Sequence, residues 1–195
     1  VIMHSSGTTD NSKSAVLTNK NFNSVAENII NVLPWGNKLG TDMSSITVLP
    51  MFHAFGLGVC MHTVLSYGYN SVMIPKYSPK KIVKNMKKHN VAIIAGVPTM
   101  FAGIADDINF NGGWLNSLKF AFCGGDKLNP KVKQRFEKIV SKNGGSCKLD
   151  EGYGLTEASG VFSVNTRLDE REGSLGKPFA GVAYAFNEFG DKLPD

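Results

Sequence analysis

The sequence has few cysteines, no long apolar run and no stripe of arginines, and each absence removes a class of protein. Its three cysteines, Cys60, Cys123 and Cys147, are odd in number and far apart, which fits neither a disulfide framework nor a zinc site. No apolar run approaches the roughly 20 residues that span a bilayer. The lysines are scattered, with small clusters at Lys80-Lys81 and Lys87-Lys88, and no arginine-rich stripe with interleaved aromatics appears, so nucleic-acid binding is not expected.

The remaining composition is typical of a soluble globular protein: 42% hydrophobic residues, 19% charged residues and a formal net charge of +5. Cysteines that fit no disulfide framework indicate a reducing compartment, so we expect a cytoplasmic location.

The chain opens on the strand-like segment Val1–His4, shows no signal peptide and closes on a turn-like segment, residues 190–195. We therefore expect these 195 residues to be a fragment of a longer chain.

Short apolar runs alternate with longer amphipathic stretches along most of the chain. The apolar runs are mostly continuous, which predicts strands covered on both faces, as in a parallel sheet. The predicted strands are Val1–His4, Ile46–Leu49, Ser71–Ile74, Val91–Ala95, Leu118–Cys123 and Cys147–Glu151. The predicted helices begin after Thr18, at Phe55, after Ser78, at Pro98 and at Pro130, and they end near Leu33, Tyr67, His89, Asp107 and Gly144.

This alternation predicts an α/β fold, namely a doubly wound, largely parallel sheet with flanking helices. After Gly160 the pattern changes to short strands and turns. We expect an α/β core over about residues 1–160, followed over about residues 161–195 by a short mixed-strand segment that begins a further β subdomain.

Polar, glycine-rich segments follow five of the predicted strands. Ligands of an open parallel sheet bind at the carboxyl ends of its strands, so these segments predict one composite site. They are Ser5–Ser14, His53–Gly58, Gly96–Thr99, Gly124–Lys127 and Gly152–Glu157.

The first segment offers hydroxyl and backbone N–H donors to phosphate oxygens, and Lys13 adds a positive charge. It is not a Walker A loop, because Ser12 stands where that pattern has glycine. Taken alone, a loop of this composition is more often an ordinary loop. His53, flanked by apolar residues, is by itself best read as a core histidine bound to a backbone carbonyl.

The glycines of the segments Gly124–Lys127 and Gly152–Glu157 allow a ligand to approach the backbone closely. Paired glycines before Asp126 let a flat ring come near the backbone, although a tight strand-to-helix turn explains them equally well. Tyr153 lies between two glycines, which leaves its ring face open for stacking on a base. Thr156 can bind a phosphate and Glu157 can bind Mg²⁺. The alternative, a glycine-rich turn with a packed tyrosine, explains fewer of these residues.

In order and spacing, the five segments resemble the adenylate-forming superfamily of acyl-CoA synthetases, 4-coumarate–CoA ligases, firefly luciferase and peptide-synthetase adenylation domains. The resemblance runs from Ser5 to the end of the chain. It implies a two-step reaction: a carboxylate attacks the α-phosphate of Mg·ATP to give an acyl-adenylate and pyrophosphate, and a thiol, usually CoA, then displaces AMP. The implied ligands are ATP, Mg²⁺, CoA and a small carboxylic acid.

The resemblance also implies roles for individual residues. Catalytic roles fall to His53, Thr156 and Glu157, with Glu157 as the Mg²⁺ ligand, and the acyl and CoA sites would be bordered by His53, Lys76, Gly124 and Gly154. The implied ATP site consists of Ser5, Ser6, Gly7, Thr8, Thr9 and Lys13 at the β- and γ-phosphates, Thr156 at the α-phosphate, Gly125 and Asp126 beside the adenine, Tyr153 stacked on it, and the neighbouring Glu151 and Gly152.

The segments Phe52–Gly56 and Gly152–Glu157 are more similar to acyl- and aryl-CoA ligases than to amino-acid-activating domains. A medium-chain, long-chain or aromatic acid is therefore favoured, with peripheral membrane association if the acid is long-chain. Two alternatives stay open: an enzyme that passes its adenylate to a carrier protein, and a non-catalytic nucleotide- or acyl-binding paralogue.

Two departures from the family pattern bear on activity. Asp10, Ser12 and Ser14 replace a glycine, a proline and a glycine of the family's phosphate loop, and a carboxylate at position 10 should repel a polyphosphate. The family's ribose-binding aspartate and its mobile C-terminal domain with the catalytic lysine are expected beyond Asp195. We therefore expect the isolated 195 residues to be inactive.

Overall fold

The computed structural model describes residues 1–5, 13–32, 42–166, 170–171 and 173–179. Its strands are β1 (Ile2–Ser5), β2 (Lys13–Val16), β3 (Ser44–Thr47), β4 (Asn70–Met73), β5 (Ile93–Gly96), β6 (Phe120–Cys123), β7 (Leu149–Tyr153), β8 (Ser163–Asn165) and β9 (Lys177–Pro178). Its helices are α1 (Asn19–Val32), a π-helix (Phe55–Thr63) that continues into α2 (Val64–Ser66), α3 (Pro79–Lys88), α4 (Pro98–Asp106) and α5 (Pro130–Lys142). Two 3₁₀ turns cover Gly113–Ser117 and Thr156–Ala158.

Seven strands form one sheet in the order β4-β3-β5-β6-β7-β8-β9. The strands from β4 to β7 are mutually parallel, whereas β8 and β9 are added antiparallel to the β7 edge. The predicted α/β fold with a largely parallel sheet and a mixed-strand end is confirmed. Each predicted strand is found within two residues of its expected bounds.

Helices cover both faces of the sheet, as a doubly wound fold requires. On one face α3, α4 and α5 bury an apolar cluster that includes Ile46, Ile82, Ile94, Phe101 and Phe136. On the other face α1 and the π-helix bury a second cluster that includes Ile29, Phe55, Val59, Phe120 and Phe122. No helix in the described part of the chain is both long enough and apolar enough to cross a membrane.

The first strand differs from its expected place. Val1–His4 was expected in the parallel sheet, but β1 pairs antiparallel with β2, with Ser5 opposite Lys13. Only one side of this hairpin is covered: Met3 is buried against α1, whereas Ile2 is 63% exposed. A ribbon with one solvated face suits antiparallel pairing rather than a strand buried on both sides.

The predicted starts of α3 and α5 are confirmed by capping contacts. The Ser78 hydroxyl accepts a hydrogen bond from the Lys81 N–H at 3.4 Å, and Pro79 occupies the first position of α3. The Asn129 side chain accepts one from the Lys131 N–H at 2.9 Å at the start of α5. These contacts satisfy N–H groups that have no partner within the helix.

The apolar segment predicted as a helix over Phe55–Tyr67 is helical, but its first nine residues adopt the wider π geometry. The Thr63 hydroxyl donates to the Gly58 carbonyl at 2.9 Å, five residues earlier. The sequence cannot distinguish the two helices here, because the segment is apolar on all sides and shows no periodicity. π-Helices are rare in proteins, and those that do occur are often found at functional sites.

The three cysteines are buried, and no disulfide joins any two of them. Burial raises the pKa of the Cys60 thiol to about 12. The pKa of Cys123 is also raised to about 12, by burial and then by the negative charges of Glu151 and Asp126. A thiol with that pKa is a thiolate in only about one molecule in ten thousand at pH 8.

We therefore expect iodoacetamide to leave Cys60 and Cys123 of the native protein unmodified at pH 8, because these thiols are inaccessible and almost entirely protonated. In guanidinium chloride all three cysteines should be alkylated within minutes, as measured by intact mass spectrometry. Since both pKa values are raised, the native reaction should accelerate only as the pH approaches 12. Rapid native alkylation of Cys60 or Cys123 at pH 8 would contradict the burial of these two thiols.

Candidate functional site

Four of the five predicted segments lie in contact with one another at one edge of the sheet. A methyl group at Gly124 would lie 3.4 Å from the Gly152 carbonyl oxygen and 3.5 Å from the Phe55 ring. A methyl group at Gly125 would lie 3.3 Å from Val97. These contacts join the segments that follow β3, β5, β6 and β7.

The hairpin brings the remaining segment to the same edge. The Ser5 hydroxyl donates a hydrogen bond to the Glu157 carboxylate at 3.3 Å, and both β1 and β2 contact the Thr156–Ala158 turn. The described ends of the first segment, Ser5 and Lys13, therefore lie beside the segment that follows β7, although they belong to a separate hairpin rather than to the parallel sheet. Ser6, Gly7, Thr8 and Thr9, which were expected at the phosphates, lie outside the described residues.

A pocket of about 1020 Å³ opens beside the end of β7, and we call it the β7 pocket. Its size is near the upper end of the range for small-molecule sites. Five of the residues expected to bind ATP line it. The lining consists of Gly125, Asp126, Lys127, Leu128, Pro130, Lys133, Gln134, Glu137, Glu151, Gly152, Tyr153, Gly154, Asn165, Glu170, Gly173, Ser174 and Leu175.

The turn after β6 is fixed by backbone contacts to acidic side chains. Gly125 has a φ of +82°, a conformation that side-chain-bearing residues rarely adopt. The Asp126 carboxylate accepts from the Lys127 N–H at 2.7 Å, and the Glu151 carboxylate accepts from the Leu128 N–H at 2.8 Å. Glu151 therefore shapes the pocket by holding this turn.

Tyr153 lies in the wall of the β7 pocket and is 41% exposed. No aromatic ring among the described residues stacks on it. The glycine before it is closely packed, since a methyl group at Gly152 would lie 2.6 Å from the Phe122 ring. The arrangement leaves the tyrosine ring available to a planar ligand.

The charges of the β7 pocket do not suit a polyphosphate. Two lysines, Lys127 and Lys133, face four carboxylates in its lining: Asp126, Glu137, Glu151 and Glu170. Lys133 is paired with Glu170 and lies 4.0 Å from Glu137. A neutral base with N–H donors fits this surrounding better than an anion does.

The opposite end of the site, at the hairpin, carries the groups that suit phosphates. Lys13 is exposed and pairs with Ser5 at the base of the hairpin loop. Thr156 begins the 3₁₀ turn, and its hydroxyl makes no hydrogen bond within the described ranges. Glu157 is exposed, with its second carboxylate oxygen unengaged by any described residue.

His53 is exposed, so its interpretation as a core histidine is wrong. Its Nδ1 accepts a hydrogen bond from the Phe55 N–H at 3.2 Å, at the entry to the π-helix. A neutral imidazole in this position carries its proton on Nε2. The adjoining Ala54 packs under Gly160, since a methyl group on that glycine would lie 2.6 Å from the Ala54 carbonyl oxygen.

The two remaining positions expected at the acyl and CoA sites are separated. Gly154 is tightly packed, because a methyl group added to it would lie 1.9 Å from the Gly160 carbonyl oxygen. Lys76 is exposed and follows β4, the sheet-edge strand four places from β7, or about 19 Å away at about 4.8 Å per strand. The structure therefore does not bring Lys76 to the β7 pocket. Its neighbour Tyr77 donates to the Thr99 carbonyl at 3.5 Å.

The far wall of the pocket was not predicted. Glu137 accepts from the Leu149 N–H at 3.1 Å and from the Lys148 ammonium at 3.0 Å, which ties α5 to the start of β7. Lys133 and Glu170 are 37 residues apart and meet only through the fold. No local motif marks these residues.

The sequence matches the AMP-binding enzyme family over residues 1–191. It is 32% identical over 180 residues to a long-chain-fatty-acid–CoA ligase of Bacillus subtilis, covering 92% of this chain and 31% of that protein. It is 30% identical over 181 residues to a feruloyl-CoA synthase of Amycolatopsis, covering 91% of this chain and 35% of that protein. The chain thus spans about a third of the length of these relatives.

The fold is similar to those of solved adenylate-forming enzymes. The apo structure of MatB from Rhodopseudomonas palustris matches 99% of this chain with a TM-score of 0.85 and 22% identity, over 36% of its own length. The Bacillus subtilis o-succinylbenzoate CoA synthetase in complex with ATP and magnesium ion matches 99% of this chain with a TM-score of 0.81 and 21% identity, over 38% of its own length.

Proposed function

Because the chain belongs to the AMP-binding enzyme family, we propose that it provides the nucleotide- and acid-binding core of an enzyme that activates a carboxylic acid as an acyl-adenylate and then forms a CoA thioester. One observation carries this proposal. The β7 pocket, walled by Tyr153, and a phosphate-suited group around Glu157 both lie at the end of one strand, and these two residues are four positions apart in the sequence. An adenine and its phosphates can occupy the two together.

In this proposal the adenine enters the β7 pocket and stacks on Tyr153 beside Gly125 and Asp126. The ribose leads toward the hairpin, where Thr156 donates to the α-phosphate. Ser5 and Lys13 face the β- and γ-phosphates. Charge that develops on the α-phosphate during carboxylate attack is stabilised by donors that are already in place, which is the main source of rate in such transfers.

The residues present fit a magnesium ion bound together with ATP. No group of three or more histidine, cysteine, aspartate or glutamate side chains in the described ranges could hold a metal ion. Mg²⁺ in phosphate sites usually takes only one or two carboxylates, with phosphate oxygens and water completing its shell. Glu157 would hold the ion, which supplies charge neutralisation at the phosphates when bound.

We place the acid beyond the α-phosphate, on the side of Gly124. The Phe55 and Phe122 rings meet edge to face in the buried core beneath Gly124, with centroids 5.7 Å apart, and would supply the apolar wall of this site. An apolar wall favours a fatty or aromatic acid over a charged one. His53 stands at the mouth on this side, and its exposed Nε2 can orient the incoming thiol. Lys76, at the β4 edge, is proposed to meet the phosphates of CoA.

We also propose that these 195 residues do not complete the reaction alone, because they correspond to about a third of the relatives' length. A lid domain would supply the missing catalytic lysine, and the region from about residue 161 would begin a further β subdomain. The fully buried thiols suit a reducing, cytoplasmic environment.

Acid-dependent exchange of labelled pyrophosphate into ATP tests this function in the full-length protein. Exchange that requires one acid of a panel of fatty, aromatic and amino acids supports adenylation, and CoA thioester formation then supports the ligase. Acceptance of a carrier-protein thiol instead of CoA would assign the loading enzyme. ATP binding without exchange for any acid would favour the non-catalytic paralogue, for which the altered loop at Asp10 is the supporting observation.

Replacing Asp10, which lies outside the described residues, by glycine is expected to tighten ATP binding. Removing a carboxylate near a polyphosphate lifts a repulsion, and an exposed charge pair contributes about a fewfold change in affinity. Titration calorimetry at low salt measures the change, with Asp107→Asn, at the end of α4, as a charge-matched control. Unchanged or weaker ATP binding by Asp10→Gly would remove the repulsion argument.

A further inference from the structure

The charges of the chain are unevenly distributed around α3. Residues 43–105 contain six lysines and no aspartate, glutamate or arginine. Five of the six lie within α3, and we call them the α3 lysine face: Lys80, Lys81, Lys84, Lys87 and Lys88.

These lysines occupy one side of the helix. At about 100° per residue they fall within an arc of about 120°. Ile82, Val83 and Met86 are buried on the opposite side against the sheet. All five lysines are exposed, and none forms an ion pair with any residue in the part of the chain that the structure describes.

The nearest acidic residue along the chain does not neutralise this face. Asp106 ends α4, the helix beside α3, and is paired with Arg135 of α5. A row of like charges without partners costs folding free energy through mutual repulsion. An anionic partner would relieve this repulsion and release counterions.

The shape of the face indicates an extended partner. Because β4 and β5 run in the same direction, α3 returns from the carboxyl edge of the sheet to its amino edge. The lysines from Lys80 to Lys88 therefore cover about 12 Å along the molecule and lead away from the proposed ATP site. One bound phosphate group would engage only part of this row.

The residue types favour a membrane over a nucleic acid. Sequence-reading proteins usually present arginines and aromatics, which α3 lacks. Clusters of lysines on an amphipathic helix bind anionic headgroups. Apolar side chains stand at the entrance to the helix, where Met73 is 57% exposed and Tyr77 is 47% exposed.

We propose that the α3 lysine face docks the protein on an anionic membrane surface. The lysines lie against the headgroups of acidic lipids, and Met73 and Tyr77 reach the interface at one end. The proposal rests on charge complementarity and does not depend on the proposed reaction.

Vesicle co-sedimentation tests it, with phosphatidylcholine vesicles prepared with or without phosphatidylserine. We expect binding only to the vesicles with phosphatidylserine, and we expect high salt to abolish it. The test variant carries Lys80→Gln, Lys84→Gln and Lys87→Gln. Each lysine near an anionic surface contributes about fivefold, so the partition coefficient should fall on the order of a hundredfold.

A variant of equal net charge provides the control. Lys131, Lys138 and Lys142 of α5 are exposed and form no ion pair among the described residues, and changing all three to glutamine removes the same charge. The control should keep most of the binding, and circular dichroism should show both variants folded. Equal loss in the two variants would overturn the proposal, as would no wild-type binding to acidic vesicles. Tighter binding to duplex DNA or RNA, lost with the same α3 lysines, would overturn it in favour of a nucleic acid.

Discussion

Replacing Glu157 by glutamine is expected to lower the rate of acid-dependent adenylate formation about 10²- to 10³-fold, the usual cost of removing one electrostatic stabiliser of a developing charge. The substitution keeps the size of the side chain and its hydrogen bond with Ser5 but removes the charge that would hold Mg²⁺. Single-turnover measurements in the full-length protein separate this step from product release.

Ser5→Ala is the matched control for Glu157→Gln. It removes the other partner of the 3.3 Å hydrogen bond and leaves the carboxylate in place. Its rate should fall less than about tenfold, because an exposed hydrogen bond contributes little. ATP binding by Glu157→Gln should also lose most of its dependence on Mg²⁺. A variant that keeps the full rate and this dependence would show that Glu157 is not the metal ligand.

Replacing Gly154 by alanine is expected to lower the free energy of unfolding by about 3 kcal/mol, the upper end of the cost of overpacking. The added methyl group would stand 1.9 Å from the Gly160 carbonyl oxygen and 2.7 Å from its carbon. Both contacts are to backbone, so no flexible side chain can move aside. The Thr156–Ala158 turn between the two glycines would have to shift, and ATP binding should weaken with it.

Gly113→Ala is the control for the effect of a methyl group as such. Gly113 is exposed, and an added methyl group would meet no atom within 4 Å. Its urea unfolding midpoint should stay within error of the wild type, whereas that of Gly154→Ala should fall clearly. Equal midpoints for the two variants would mean that the turn adapts at little cost, and that Gly154 is not required by packing.

The sequence predicts the positions of α3, α4 and α5 well because local chemistry determines where they begin. Ser78 and Asn129 satisfy the first N–H groups of α3 and α5, and Pro79, Pro98 and Pro130 occupy first positions that need no N–H. The expected convergence of strand-end segments also follows from topology. Parallel strands present all their carboxyl ends at one edge of the sheet.

The pairing of β1 was not predictable in the same way. Its partner β2 is four residues long with the sequence Lys-Ser-Ala-Val, and so gives no strand pattern. The far wall of the β7 pocket was not predictable for a similar reason, because its residues are brought together only by contacts between distant parts of the chain. The spacing in α5 shows that Phe136 and Val140 face the core, but not that Lys133 and Glu137 will border a cavity. That depends on which strands lie beside β7.

The exposure of His53 shows the limit of inference from neighbouring residues. Its flanks are apolar, which predicts burial, yet the side chain stands at the surface. His53 accepts a hydrogen bond from the Phe55 N–H, which belongs to the first turn of the π-helix, where N–H groups lack partners within the helix. Capping of this kind depends on where the helix begins, and the uniformly apolar segment does not mark that point.

Photolabelling with 8-azido-ATP tests the location of the nucleotide most directly, because the azide is carried on the adenine. We expect the protein to become covalently labelled and the labelling to be suppressed by excess ATP. The modified peptides should contain Tyr153 or the Gly124–Leu128 turn. Tyr153→Ala should reduce the label without unfolding the protein. If ATP suppresses the labelling but every modified residue lies outside the β7 pocket, the proposed ATP site is contradicted.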